Sequence, residues 1–123
     1  MLVLTACGKS STEEERSSDV IESLSPSEFE ARIPEGGVLL DVRTPEEFQT
    51  GFIEGATNLD YRADGFEQKL DTLDKSKSYF VYCASGGRSA KAAEIMKAKG
   101  FTSIVTLDGG MNAWTAEGHP VQK

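Results

Sequence analysis

Residues 78–100 read SYFVYCASGGRSAKAAEIMKAKG, and three physical regimes follow one another within them. From Ser78 to Tyr82 the chain is dense in aromatic and β-branched residues, the composition of a buried strand. Cys83-Ala84-Ser85-Gly86-Gly87-Arg88-Ser89 breaks that run with paired glycines. Residues 88–99 then predict a helix with Ala92, Ile95, Met96 and Lys99 near one face, and Gly100 supplies its C-terminal cap.

The same alternation extends outward on both sides. Ser25, Pro26 and Glu28 form the start signal of a short helix, ended by Pro34 and Gly36-Gly37. VLLDVR, residues 38–43, is a short continuous apolar run and predicts a buried strand. Thr44-Pro45-Glu46-Glu47 is a second capping box, opening a helix that runs to about Gly51. GFIEGATNLD, residues 51–60, is turn-rich with one brief extended piece, and Phe66, Leu70 and Leu73 are spaced for one helix face. SIVTLD, residues 103–108, is the last strand, Gly109-Gly110 a turn, and MNAWTAEG, residues 111–118, a final helix packed on the core through Met111 and Trp114. Strands alternating with helices predict an α/β fold, a mainly parallel sheet flanked by helices on both faces. Ligands of such sheets bind beyond the carboxyl ends of the strands, where Cys83 stands.

Composition narrows the function. A chain of 123 residues supports one core rather than two ordinary domains. A formal net charge of −7 argues against nucleic acid or an anionic membrane surface as partner, although a local cluster of donors can still hold a small anion. Two distant cysteines, Cys7 and Cys83, and the single His119 lack the spacing of a zinc site, so the reading calls for no metal and no cofactor. His119, next to Pro120 near the C-terminus, reads as a surface or packing residue. Glu13-Glu14-Glu15 reads as solvated chain.

Leu4-Thr5-Ala6-Cys7 resembles the lipobox of bacterial lipoproteins, in which the cysteine is lipidated and becomes the mature N-terminus. That resemblance implies residues 1–7 as a residual signal segment, 8–20 as a flexible polar linker, and 21–123 as the folded domain. It also implies a cell-envelope location, facing the periplasm or the cell surface, with membrane contact only through the lipid on Cys7. Six residues before Cys7 are too few for a basic region and an apolar core, so this reading needs a start upstream of Met1. Otherwise the segment is an unstructured cytoplasmic N-terminus.

The cysteine loop carries the chemistry. A free thiol with a pKa of about 8.5 is a poor nucleophile at neutral pH because little of it is ionised. Three features around Cys83 favour the thiolate. The loop leads into a helix N-terminus, whose unpaired N–H groups and dipole attract negative charge. Gly86 and Gly87 allow successive amides to turn inward as an anion-binding nest. Arg88 adds a permanent cation with a planar fork. A lone cysteine can equally be a small buried hydrophobe, and Gly-Gly only a turn; it is the coincidence of strand, cysteine, glycines, arginine and helix that points to a site.

Taken together, VLLDVRTPEEFQTGFIEGATNLD, SYFVYCASGGRSAKAAEIMKAKGF and VTLDGGMNAW with EGHPV resemble a single-domain rhodanese, a thiosulfate-type sulfurtransferase. The likeness spans residues 24 to about 121 and holds three motifs in family order. The family often has histidine where Phe52 stands, and a packing role is expected of Phe52. The resemblance implies that Cys83 attacks a sulfane sulfur and carries it as a persulfide to a thiol or cyanide acceptor. It implies that Ala84, Ser85, Gly86, Gly87, Arg88 and Ser89 bind a small anionic donor, with the Ala84–Ser89 amides cradling the persulfide. It implies Arg43 at the pocket rim and Asp41 as a brace between loops.

Two other functions compete. Cysteine phosphatases on a related loop place one more residue between cysteine and arginine than the four here, Ala84 through Gly87, and no aspartate stands beside the loop as general acid. A non-catalytic binding module, or a redox or sulfur carrier, needs only the low-pKa thiol.

Overall fold

Side chains along an extended strand point alternately to opposite faces, and the chain uses both. In β4 (Ser78–Tyr82), Tyr79, Val81 and the following Cys83 pack into one apolar cluster while Phe80 and Tyr82 pack into another. The computed structural model describes residues 20–123. Cys7 and the linker expected over residues 8–20 lie outside them, apart from Val20, whose carbonyl already accepts from the Ile104 amide at 2.8 Å.

In chain order the elements are β1 (Ile21–Leu24), α1 (Pro26–Arg32), a 3-10 turn (Ile33–Glu35), β2 (Val38–Asp41), α2 (Pro45–Gln49) and β3 (Thr57–Asn58). Then come α3 (Phe66–Leu70), β4, α4 (Gly87–Ala98), β5 (Ser103–Leu107) and α5 (Gly110–Ala116). Five strands form one sheet in the order β1-β5-β4-β2-β3, and every pairing is parallel. Leu39 pairs with Phe80 and Phe80 with Val105, so all three face the same layer. That layer holds Phe29 of α1 and Met111 and Trp114 of α5. The other holds Phe66 and Leu70 of α3 and Ala92, Ala93 and Met96 of α4. Helices therefore cover both faces, as expected.

Both capping boxes form. Ser25 Oγ accepts from the Glu28 amide and Thr44 Oγ1 from the Glu47 amide, with each glutamate reaching back to its cap. No strand is expected before Ser25, yet Ile21–Leu24 pairs with β5. It is a sheet edge with Glu22 and Ser23 exposed, too short and too polar to show as an apolar run. The buried face of α4 is also rotated from the expected one. Ser89, Ala92, Ala93 and Met96 are buried, Ile95 is half-buried, and Lys99 reaches outward to Asp71 at 3.1 Å. Ser89 sits inward, hydrogen-bonded to Cys83 (below), on the same face as the core residues Ala92 and Met96.

Phe52 has the packing role expected of it, stacked on Phe48 with centroids 4.2 Å apart. His119 packs as well: its ring lies 4.8 Å from that of Trp114 and its Nδ1 is 2.6 Å from Glu30. Among the described residues no helix is long and apolar enough to cross a membrane, and no cluster of His, Cys, Asp or Glu could hold a metal ion.

Candidate active site

Cys83 is the first residue after β4, with Gly86 as the N-terminal cap of α4 at φ 110°. That left-handed angle suits glycine and lets the chain reverse within three residues. Gly86 has no side chain to cap the helix, so the first-turn amides need an acceptor from elsewhere. The sulfur of Cys83 provides it. The Gly86 amide donates to Sγ at 3.1 Å and the Ser89 amide at 3.4 Å. Ser89 is the third residue of α4, the position whose amide a capping side chain would satisfy.

The Ser89 hydroxyl completes the arrangement. It lies 3.6 Å from Sγ and 3.2 Å from the Gly86 carbonyl. With a neutral thiol, S–H donates to Oγ while the hydroxyl donates to the Gly86 carbonyl; with a thiolate, the hydroxyl can turn and donate to sulfur. Burial pushes the Cys83 thiol up, but the Ser89 hydroxyl and the amides of Ser89, Gly86 and Ser85 outweigh it, leaving the thiol below its ordinary value. Of the expected ring of amides, those of Gly86 and Ser89 hydrogen-bond the sulfur. Ala84 instead offers its carbonyl to the Asn112 amide at 2.9 Å. Ser85 and Gly87 are exposed.

The thiol expected to be reachable is fully covered, at 0% exposure, among Val42, Val81, Ala92 and their neighbours. The sulfur thus combines an apolar surround with a polar, helix-terminal set of donors.

Arg88 differs from expectation in its partner. Its two terminal nitrogens clasp the Glu47 carboxylate, Nη1 to Oε1 at 2.8 Å and Nη2 to Oε2 at 3.0 Å. Glu47 is held by the capping box of α2, where Oε1 also accepts from the Thr44 amide and hydroxyl at 3.0 Å. The Arg88 fork, offset by some desolvation and helped by the Thr44 donors, lowers the Glu47 carboxyl from 4.5 to about 2. The first motif is thereby tied to the cysteine loop.

Arg43, expected at the rim, is 5% exposed and committed inward. Its Nε and Nη2 donate to Asp41, Nη2 to Oδ2 at 2.6 Å, and Nη2 also donates to the Gly51 carbonyl at 2.6 Å. A short apolar strand cannot end on an unpaired buried carboxylate, so the arginine two residues on neutralises it. Asp41, read as a brace, also accepts from the Arg43 amide at 2.9 Å.

The third motif reaches the loop through its backbone. Met111 N–H donates to the Cys83 carbonyl at 2.8 Å. Gly110, at φ 59°, has its Cα against the loop so closely that a Cβ would lie 2.5 Å from the Cys83 carbonyl oxygen and 2.6 Å from Ala84 C and O. Neither Glu47 nor Gly110 was among the expected site residues. The capping box positions Glu47 in sequence but does not reveal a partner 41 residues away.

The rhodanese-like domain model matches residues 25–117, a span that holds β2 to β5, the cysteine loop and the third motif as far as Glu117. This chain belongs to the rhodanese-like domain family. The rhodanese-like domain is 37% identical over 93 residues to thiosulfate sulfurtransferase 16, chloroplastic, of Arabidopsis thaliana, covering 68% of this chain and 78% of that protein. It is 32% identical over 91 residues to thiosulfate sulfurtransferase GlpE of Pseudomonas entomophila, covering 74% of this chain and 82% of the relative. Among solved structures it is similar to a rhodanese-related protein from Thermoplasma volcanium, at 34% identity and TM-score 0.74, over 82% of this chain and 97% of the other. A rhodanese-like fold of five parallel strands with helices is therefore shared with them.

Proposed function

We propose that this rhodanese-like domain is a sulfurtransferase that carries a sulfane sulfur on Cys83. Relatives named sulfurtransferase support the class. The observation that carries the mechanism is the Cys83 sulfur seated as acceptor at the N-terminus of α4, a 12-residue helix, with the Gly86 and Ser89 amides directed at it. Those donors favour the thiolate at rest and any negative charge that develops on a second sulfur during transfer.

In the first half-reaction the Cys83 thiolate attacks the outer sulfur of thiosulfate or a related donor. A new S–S bond forms, the donor's S–S bond breaks, and sulfite or a thiolate departs with the bonding pair. In the second, an acceptor thiolate or cyanide attacks the terminal sulfur of the Cys83 persulfide and regenerates the thiolate. Since Sγ is covered, the Ala84–Gly87 segment must move aside to admit the donor. Ser85 and Gly87 are already exposed.

Intact mass after incubation with sulfane donors tests this. A one-sulfur gain is expected in the natural chain and not in Cys83→Ala. The complete burial of Cys83 favours a second reading, a non-catalytic binding module; absence of an adduct with several donors supports that one. Turnover of an aryl phosphate dependent on Cys83 would instead support a phosphatase. An acylated Cys7 would anchor the domain at the cell envelope, which the mass of the membrane-extracted native protein tests.

A further inference from the structure

The donor must be held near an anion, so the charge free at the loop decides which donors are accepted. Arg88 is the loop's cation, and both of its terminal nitrogens are chelated by Glu47. Arg43, the arginine of the first motif, is spent on Asp41 and the Gly51 carbonyl. Each pair sums to zero charge. Among the described residues, no other lysine or arginine side chain hydrogen-bonds to residues 83–89. What remains to greet a donor is a set of main-chain amides and a hydroxyl, in an apolar surround. Such a set stabilises one developing negative charge on sulfur. It offers nothing to the sulfonate end of a dianion, which must also approach a thiolate of like charge.

Resting on the sulfurtransferase reading, we infer that Glu47 sets donor choice by neutralising Arg88, so that the domain takes its sulfur from a persulfide, RS–SH, in preference to thiosulfate. The step balances without an external oxidant or reductant. The Cys83 thiolate attacks the outer sulfur of RS–SH, the RS–SH sulfur–sulfur bond breaks, Cys83–S–SH forms and RS⁻ leaves. One negative charge enters the step and one leaves it. With thiosulfate the same step must release sulfite as a dianion beside the loop. Glu47 suits the role because it is fixed twice, by the Thr44 amide and hydroxyl at the start of its own helix and by Arg88 of α4.

The test compares the half-saturating concentrations for loading Cys83, read by intact mass, with thiosulfate and with 2-hydroxyethyl persulfide generated in situ. The latter has an uncharged organic part. The natural chain is expected to need at least about tenfold more thiosulfate, the scale of one uncompensated charge at a partly exposed site. Glu47→Gln keeps a side-chain oxygen for the Thr44 cap while freeing the charge of Arg88. It is expected to lower the thiosulfate value relative to the persulfide value by about tenfold, with the gain shrinking as salt rises. Thiosulfate loading the natural chain at or below the persulfide concentration would overturn the inference and leave the sulfurtransferase reading standing. So would a folded Glu47→Gln variant with an unchanged ratio. If that variant fails to fold, the natural-chain comparison decides alone. Loading by neither donor would remove the sulfurtransferase reading and this inference with it.

Discussion

Gly110→Ala should damage the cysteine loop from a distance in sequence. The added Cβ would stand 2.5 Å from the Cys83 carbonyl oxygen and 2.6 Å from Ala84 C and O. All three are backbone atoms, so no side chain can rotate away. Relief requires α5 and the loop to separate by roughly 1 Å, given that non-bonded atoms rest about 3.5 Å apart. That lengthens the Met111-to-Cys83 and Asn112-to-Ala84 hydrogen bonds, now 2.8 and 2.9 Å, beyond useful range. Each is worth about 1 kcal/mol. Holding alanine at φ 59° adds about 1 kcal/mol more. The entropic benefit of replacing glycine, about 0.4–1 kcal/mol in the unfolded chain, offsets part of this. The net loss is about 2 kcal/mol, or a fall in Tm on the order of 10 °C for a domain of this size. Thermal unfolding followed by circular dichroism measures it, and alkylation of Cys83 against pH reports the loop. A variant melting within about 2 °C of the natural chain, with an unchanged alkylation profile, would refute the claim that the third motif buttresses the site.

Ser89→Ala removes a hydroxyl that favours the thiolate while leaving the amide in place, so the Cys83 thiol should rise. The pH profile of iodoacetamide alkylation then moves to higher pH, and no movement would count against the hydroxyl's role. Asp41→Ala strands the buried Arg43 guanidinium and should cost about 3–5 kcal/mol in urea unfolding; a loss below 1 kcal/mol would contradict the pairing. Glu47 has a folded-state value depressed from 4.5 to about 2, so its contribution to stability is present above pH 4.5 and lost as pH falls toward 2. The natural chain should therefore lose stability across that window more steeply than Glu47→Gln, and parallel curves would show that the Arg88 pair adds nothing. Cys83→Ala should abolish the one-sulfur mass gain without unfolding the domain, because alanine retains an apolar group at a covered position.

The local regimes were legible in the chain itself. Ser25 and Thr44 announce their helices because capping needs only residues three apart, and Tyr79 to Tyr82 announce a buried strand because both faces must be apolar. Cys83 and Gly86 could be placed at a strand end and a helix start for the same reason: each is a property of a few consecutive residues. β1 escaped because an edge strand of four residues with two polar members carries no such periodicity.

What the chain order could not decide was which charges meet. Arg43 and Arg88 look alike in sequence, each a cation beside a motif. Arg43 turns onto Asp41 two residues away, whereas only the parallel stacking of β2 against β4 brings Glu47 to Arg88. Likewise the approach of Gly110 to Cys83 follows from β5 lying beside β4. Electrostatic neutralisation and close backbone contact depend on distances through space, and those exist only once the sheet has set the register.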